Sequence, residues 1–137
     1  MVVKELNSCE VKRIINNHKI EFREFFTNRT VYGAKNKKGN VIGMVAVSNN
    51  KHLNNTKKLF TPFIDNKSVD QASDFIKSVV DKILKSNQRT IVYCDVLADY
   101  VPFFESAGFT FTSVQNGLKR YNKLYRAIYQ QNKVKED

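Results

Sequence analysis

Val101-Pro102-Phe103-Phe104-Glu105-Ser106-Ala107-Gly108-Phe109 is the stretch whose reading decides the fold. Proline lacks an amide hydrogen and is tolerated only in the first turn of a helix, so a helix over Ala98–Ala107 starts near Pro102 or kinks there. Gly108 ends it as a left-handed cap, and Phe109–Val114 resumes as a strand. Working outward toward the N-terminus, Thr90–Cys94 is rich in β-branched residues and reads as a buried strand. Before it, Val69, Ala72, Phe75, Ile76, Val79, Val80, Ile83 and Leu84 recur at three- and four-residue steps, the pattern of an amphipathic helix. Lys58–Ile64 reads as a strand in which Pro62 marks a bulge or an unpaired amide position.

Further out, Thr30–Ala34 and Val41–Val47 flank the polar, glycine-containing turn Lys35–Asn40 and predict a β-hairpin. Val2–Leu6 predicts a short first strand, and Ser8 is placed to cap a helix over Cys9–Asn16. His18–Thr27 fits a helical face only loosely. Toward the C-terminus, Asn116-Gly117 is a strong turn signal and predicts a hairpin of Phe109–Val114 with Leu118–Tyr121. Leu124, Tyr125, Ile128 and Tyr129 then lie on one face of a short helix, so residues 122–137 are expected as a basic helix and tail.

The 137 residues fit one domain, 1–137, with no Pro/Gly/Ser-rich linker to divide them. No apolar run approaches the roughly 20 residues of a membrane span, and no signal-peptide pattern opens the chain, so a cytoplasmic protein is expected. Cys9 and Cys94 are too few for a disulfide scaffold, and His18 and His52 lie near neither, so no metal site is expected. Cys94 is either a small buried hydrophobe or a nucleophile. The net charge of +10 favours polyanionic partners: nucleic acid, an acidic protein face or a phosphorylated cofactor. A solvated basic surface is the plainer alternative.

The order helix, hairpin, strand, long helix, strand, short helix, hairpin resembles the GNAT N-acetyltransferase family over roughly Thr30–Tyr121. Val101–Phe109 is similar to that family's x-x-x-Tyr-Glu-x-x-Gly-Phe segment. The resemblance implies an α/β (α+β) domain with a mixed, mostly antiparallel central sheet flanked by helices. It also implies binding of an acyl-CoA, acetyl-CoA first, in two places. The strand before the long helix parts from its neighbour and offers backbone groups to the pantetheine arm, here through Phe63 and Ile64. A following loop turns amides toward the pyrophosphate, here Lys67, Ser68, Val69, Asp70, Gln71 and Ala72.

Two positions depart from the family pattern. Asp70 stands where a glycine is usual; a carboxylate beside a pyrophosphate is repulsive by about 1–4 kcal/mol, unless Asp70 points away as an ordinary helix-start residue. Phe104 stands where many members place a tyrosine that protonates the leaving thiolate, and Tyr100, one turn earlier, is either its substitute or a packing residue. Asp65 and Asp95, at strand ends, are candidate bases for the attacking amine, or else caps of the turns that follow. A narrower stretch is similar to phage DNA-modification proteins of the Mom type, described as GNAT folds without the glycine-rich loop. That likeness raises interest in Asp95.

Two functions follow, beside a purely structural role such as a dimer formed through an exposed sheet edge. One is N-acyl transfer from acetyl-CoA to a primary amine on a small or macromolecular substrate. The other is an inactive GNAT-like module that docks nucleic acid or an acidic protein. In the second, Lys119, Arg120, Tyr121, Lys123 and Arg126 offer phosphate contacts and stacking, unless those residues simply pack and stay wet.

Overall fold

β-branched and apolar alternation sets the first three strands, β1 (Val2–Leu6), β2 (Thr30–Lys35) and β3 (Val41–Val47), which pair antiparallel in sequence order. The computed structural model describes residues 1–19, 30–48, 56–60, 62–65, 69–86, 90–116 and 123–130. Between β1 and β2 runs α1 (Ser8–His18). Its cap is Asn7 and not Ser8: the Asn7 side chain accepts from the Glu10 N–H at 2.8 Å, while the Glu10 carboxylate accepts from the Asn7 N–H at 3.2 Å. This reciprocal capping box satisfies two otherwise orphaned donors. Of the ambiguous stretch His18–Thr27, His18 ends α1 and Lys19 caps it, and the rest lies outside the described residues.

The next strand is broken. β4 (Thr56–Lys58) runs parallel to β6 (Ile91–Val96), and β5 (Phe63–Ile64) pairs antiparallel with β3. The hydrogen bonds show what happens between them. The Phe60 N–H donates to Ala46 O at 3.0 Å and the Asp65 N–H to Ile42 O at 3.0 Å, with Phe63 opposite Met44. Three residues on one strand thus span two on the other, the mark of a β-bulge, and Pro62 stands inside it. The expected continuous strand over Lys58–Ile64 is therefore two short strands joined through this bulge.

α2 (Val69–Ser86) follows, then β6, a 3-10 turn over Ala98–Tyr100, α3 (Val101–Ser106), β7 (Thr110–Asn116) and β8 (Lys123–Gln130). Pro102 sits in the first turn of α3, and Gly108 takes φ +98°, the left-handed cap its position demanded. β8 lies between β6 and β7, antiparallel to both. The short C-terminal helix expected from Leu124 onward is a correction: residues 123–130 are strand. Tyr125, Ile128 and Tyr129 fit helical spacing, but the side chains alternate, with Ala127 fully buried and Arg126 and Ile128 turned the other way.

The two four-stranded sheets, β1-β2-β3-β5 and β4-β6-β8-β7, meet where Leu59 bridges to Val47 and donates its N–H to Tyr93 O at 2.8 Å. One face carries α2 and α3. Ala72, Phe75, Ile76, Val79, Val80, Ile83 and Leu84 of α2 are buried there with Val92, Cys94, Val96, Phe104 and Phe109. Each large side chain buried this way contributes about 1.5–3 kcal/mol. On the opposite face of the first sheet α1 packs through Val11, Ile14 and Ile15 onto Leu6, Val31, Met44 and Ala46. No described helix is long and apolar enough to cross a membrane.

Gly43, opposite Ile64 in β5, is where the Phe75 ring of α2 rests directly on the strand. A Cβ there would stand 2.9 Å from two ring carbons of Phe75. Gly43→Ala is expected to cost about 1–3 kcal/mol by overpacking, read as a lower urea midpoint with an unchanged slope. Adding Phe75→Leu to it should recover part of that loss.

Candidate functional site

Strand alternation determines which peptide groups face the break. Tyr93 O accepts from Leu59, so the peptide groups of Tyr93 and Asp95 face the β4 side of β6, and those of Cys94 and Val96 face β8. Beyond the bulge, Asp65 donates to β3, so the Ile64 N–H and C=O face away from β3, toward the Asp95 edge. β5 remains paired with β3 while β6 remains paired with β8, and among the described residues no pairing joins β5 to β6. The result is a gap with backbone donors on its lips: Ile64 on one, Asp95 on the other.

The first lip carries Phe63, Ile64 and Asp65. Phe63 packs on the α1 face, and its ring lies 5.1 Å from the ring of His18, at the end of α1. Asp65 points to the same face, into an open cleft of about 480 Å³ that it shares with Arg13, Asn17, His18, Lys35 and Asn40. Ile64 points to the other face, where it lines a small hollow with Ile42 of β3 and with Gln71, Ala72 and Phe75 of α2.

The second lip is held by charge. Arg126 on β8 stands directly opposite Asp95 on β6. Its Nε donates to Asp95 Oδ1 at 2.8 Å and its Nη2 to Oδ2 at 3.0 Å, a bidentate pair. The guanidinium also lies 4.9 Å from the centre of the Tyr93 ring. The Asp95 hydrogen bond raises the Arg126 pKa further above an already high value. Asp95 thus stands at the lip as an acceptor already engaged by a cation, and Arg126, expected as a phosphate contact, is committed to it.

Tyr100 ends the turn after β6, its ring 5.5 Å from Phe103 in an edge-on contact. Burial, aided by the Asp99 charge, pushes its hydroxyl pKa up. Phe104 is completely buried, 5.1 Å from Phe109 and nearly perpendicular to it, so it serves the core. Cys94 is likewise fully buried, and burial followed by the Asp95 charge pushes its thiol far up, which removes it as a nucleophile.

Of the predicted pyrophosphate loop, Lys67 and Ser68 lie outside the described residues. Val69, Asp70, Gln71 and Ala72 form the first turn of α2; Val69 is exposed and Ala72 buried. Asp70 lines a separate cleft with Asp74, Lys77 and Gly108, between α2 and the end of α3. Lys119, Arg120 and Tyr121 lie outside the described residues, and Lys123 begins β8 opposite Asn116. No group of three His, Cys, Asp or Glu side chains comes together among the described residues. Arg13 and His18 were missed as site residues. The available signal was an amphipathic α1 whose polar side carries them, but only the chain path sets that side against Asp65.

No family model matches the sequence, and no curated protein sequence matches it closely. Solved structures do. A chimera of the spermidine N-acetyltransferase of Vibrio cholerae superposes with a TM-score of 0.73 at 14% identity, over 95% of this chain and 96% of that one. The ribosomal-protein-S5-alanine acetyltransferase of Vibrio fischeri gives 0.72 at 10% identity, over 98% and 94%. The dodecameric V. cholerae spermidine N-acetyltransferase gives 0.71 at 14%, over 95% and 93%. The chain therefore has the GNAT fold, an α/β domain with a mixed, mostly antiparallel sheet between helices. The narrower Mom-type likeness stays an expectation.

The Asp95–Arg126 pair is part-buried, its side chains 15% and 37% exposed, so solvent screening limits its worth. Asp95→Ala and Arg126→Ala should each destabilise by about 1–2 kcal/mol, and a double-mutant cycle should return a coupling of about 1 kcal/mol. A second expectation concerns pH. Burial raises both Tyr32, beside Glu5, and Tyr100 above the ordinary 10.0. The fold thereby favours their neutral forms, a contribution complete below pH 10.0 and lost as pH climbs through the folded values. Denaturation free energies should fall above that pH, and ultraviolet titration should show a late-ionising tyrosine fraction in the folded protein that merges with the rest on unfolding.

Proposed function

We propose that this protein is an N-acyltransferase that accepts an acyl group from an acyl-CoA, acetyl-CoA the simplest, and passes it to a primary amine. The observation that carries the reading is the parting of β5 from β6, which leaves the Ile64 and Asp95 peptide groups facing an open gap. An extended amide-bearing chain such as a pantetheine arm fits such a place as an added strand would. Similarity in fold to acetyltransferases is consistent with the reading, and the site carries the claim of activity, because fold alone does not establish it.

Residues assigned to this work divide by lip. The Ile64 C=O, which faces the gap, holds the arm, and Phe63, whose peptide groups face β3, fixes that strand beside it. The first turn of α2, Val69–Ala72, with Lys67 and Ser68 before it, takes the pyrophosphate at a helix N-terminus. Asp70, in that same turn, also lines the cleft toward α3, together with Lys77. Bound there, acetyl-CoA supplies an activated acyl carbon. The Ile64 N–H donates to the carbonyl oxygen as negative charge grows on it. Asp65 accepts the proton released as the amine forms its C–N bond, directly or through water. Tyr100, kept protonated, donates to the sulfur as the C–S bond breaks. Asp95, held by Arg126, orients the second lip and keeps its charge in place.

A second reading rests on Phe104 and on net charge. Phe104 has no proton to give, and +10 exceeds what CoA phosphates need. On that reading the chain is a GNAT-shaped module that docks nucleic acid or an acidic protein, with binding that falls steeply with salt.

Calorimetric titration with acetyl-CoA and with CoA separates the two. Acyl transfer predicts binding at about micromolar dissociation constants, and thiol release when amines are added. Ile64→Pro removes the gap-facing N–H without breaking a β3 bond. It should lower the turnover about 100- to 1,000-fold while acetyl-CoA still binds, with circular dichroism reporting the fold. Absence of binding by both ligands would sink the transfer reading in favour of the docking one.

A further inference from the structure

The cleft beside Asp65 is larger and more charged than a bare amine requires. It measures about 480 Å³, within the range of small-molecule sites. It is lined by Arg13, Asn17 and His18 of α1, by Lys35 and Asn40 of the β2–β3 hairpin, and by Asp65, the residue after β5. Lys35 approaches Glu10 at 3.8 Å, a loose contact shared with Lys4, so part of its charge is answered. Arg13 and Asp65 differ: among the described residues neither side chain takes part in an ion pair or hydrogen bond. A guanidinium and a carboxylate thus line one cleft without pairing with each other. That arrangement suits a ligand that carries both signs.

We propose that this cleft binds the acyl acceptor and that the acceptor is an α-amino acid or a short peptide N-terminus, an amine accompanied by a carboxylate or amide carbonyl. Asp65 takes the ammonium end. Arg13, with Asn17 and Asn40 as neutral hydrogen-bonding partners, takes the carboxylate, for which the planar guanidinium is the best-matched donor set. Asp65 directly follows Ile64 in the chain, so the end of the cleft that takes the ammonium is the end beside the strand that carries the gap-facing donor. The ring of His18, 5.1 Å from that of Phe63, lines the same cleft. A polyamine would place a second cation against Arg13 and Lys35, and is disfavoured by that repulsion.

This proposal rests on the acyl-transfer reading, but its test does not need acyl-CoA. The isotope-labelled full chain is titrated by NMR with free L-amino acids, each beside the monoamine that lacks its carboxylate, such as L-alanine beside ethylamine. The amides of Asn17, His18, Asn40 and Val41 should shift with amino acids, and the carboxylate-free amines should bind about ten-fold or more weakly. Arg13→Gln, an exposed change on α1, should abolish that preference and leave amine binding unaltered; Asp65→Asn should weaken both ligands. Equal binding of alanine and ethylamine overturns the proposal, as does a preference that survives Arg13→Gln, or the absence of shifts in the cleft with every amino acid. Any of those outcomes leaves transfer to other amines intact. Loss of acetyl-CoA binding with amino-acid binding intact would instead overturn the transfer reading.

Discussion

The bulge at Phe60–Phe63 is the constraint on which the rest of the molecule depends. Up to Leu59 the strand is shared between β3 and β6; after Pro62 it belongs to β3 alone. Proline cannot donate to a ladder, and the extra residue shifts the hydrogen-bonding phase by one. Both effects act at the point where the two sheets would otherwise fuse. The shift also exchanges faces: Leu59 and Ile64 join the α2 core while Phe60 and Phe63 face α1. Without it Asp65 would not share a cleft with α1, and the Ile64 amide would be tied to β3.

Each lip of the gap is stiffened separately. Behind Ile64 stand Gly43 and Phe75, where the missing Cβ lets the ring of α2 rest on the strand. Behind Asp95 stands Arg126, which fixes the strand end by two hydrogen bonds and covers Tyr93. A pair of this kind adds modest stability, since desolvation offsets part of the attraction. Its larger effect is geometric, because a planar fork leaves the carboxylate one orientation.

Local signals in the sequence were enough for most elements. The β2–β3 hairpin followed from β-branched runs around a polar turn, α2 from its apolar spacing, and the α3–β7 junction from Pro102 and Gly108. Pro62 signalled the bulge, though not that the strand would divide. Where two periods agree, local reading failed: Tyr125 and Tyr129 lie on one face of a helix and equally on one face of a strand, and only pairing with β6 and β7 decides for β8. The α1 cap expected at Ser8 falls one residue late: the reach of Glu10 back to Asn7 sets the cap there. The site was less legible still. Asp65 and Asp95 could be picked as strand ends, but the partner of Asp95 is 31 residues away in the chain. Arg13 and His18 meet Asp65 only through the fold.

The central claim is that the gap between Ile64 and Asp95 holds the acyl donor. Residue-resolved hydrogen exchange with and without acetyl-CoA tests it most directly. Slowed exchange at the Ile64 and Asp95 amides, with little change along β7, is the result this account predicts. Protection elsewhere on the surface, with Ile64 exchanging as before, would contradict it.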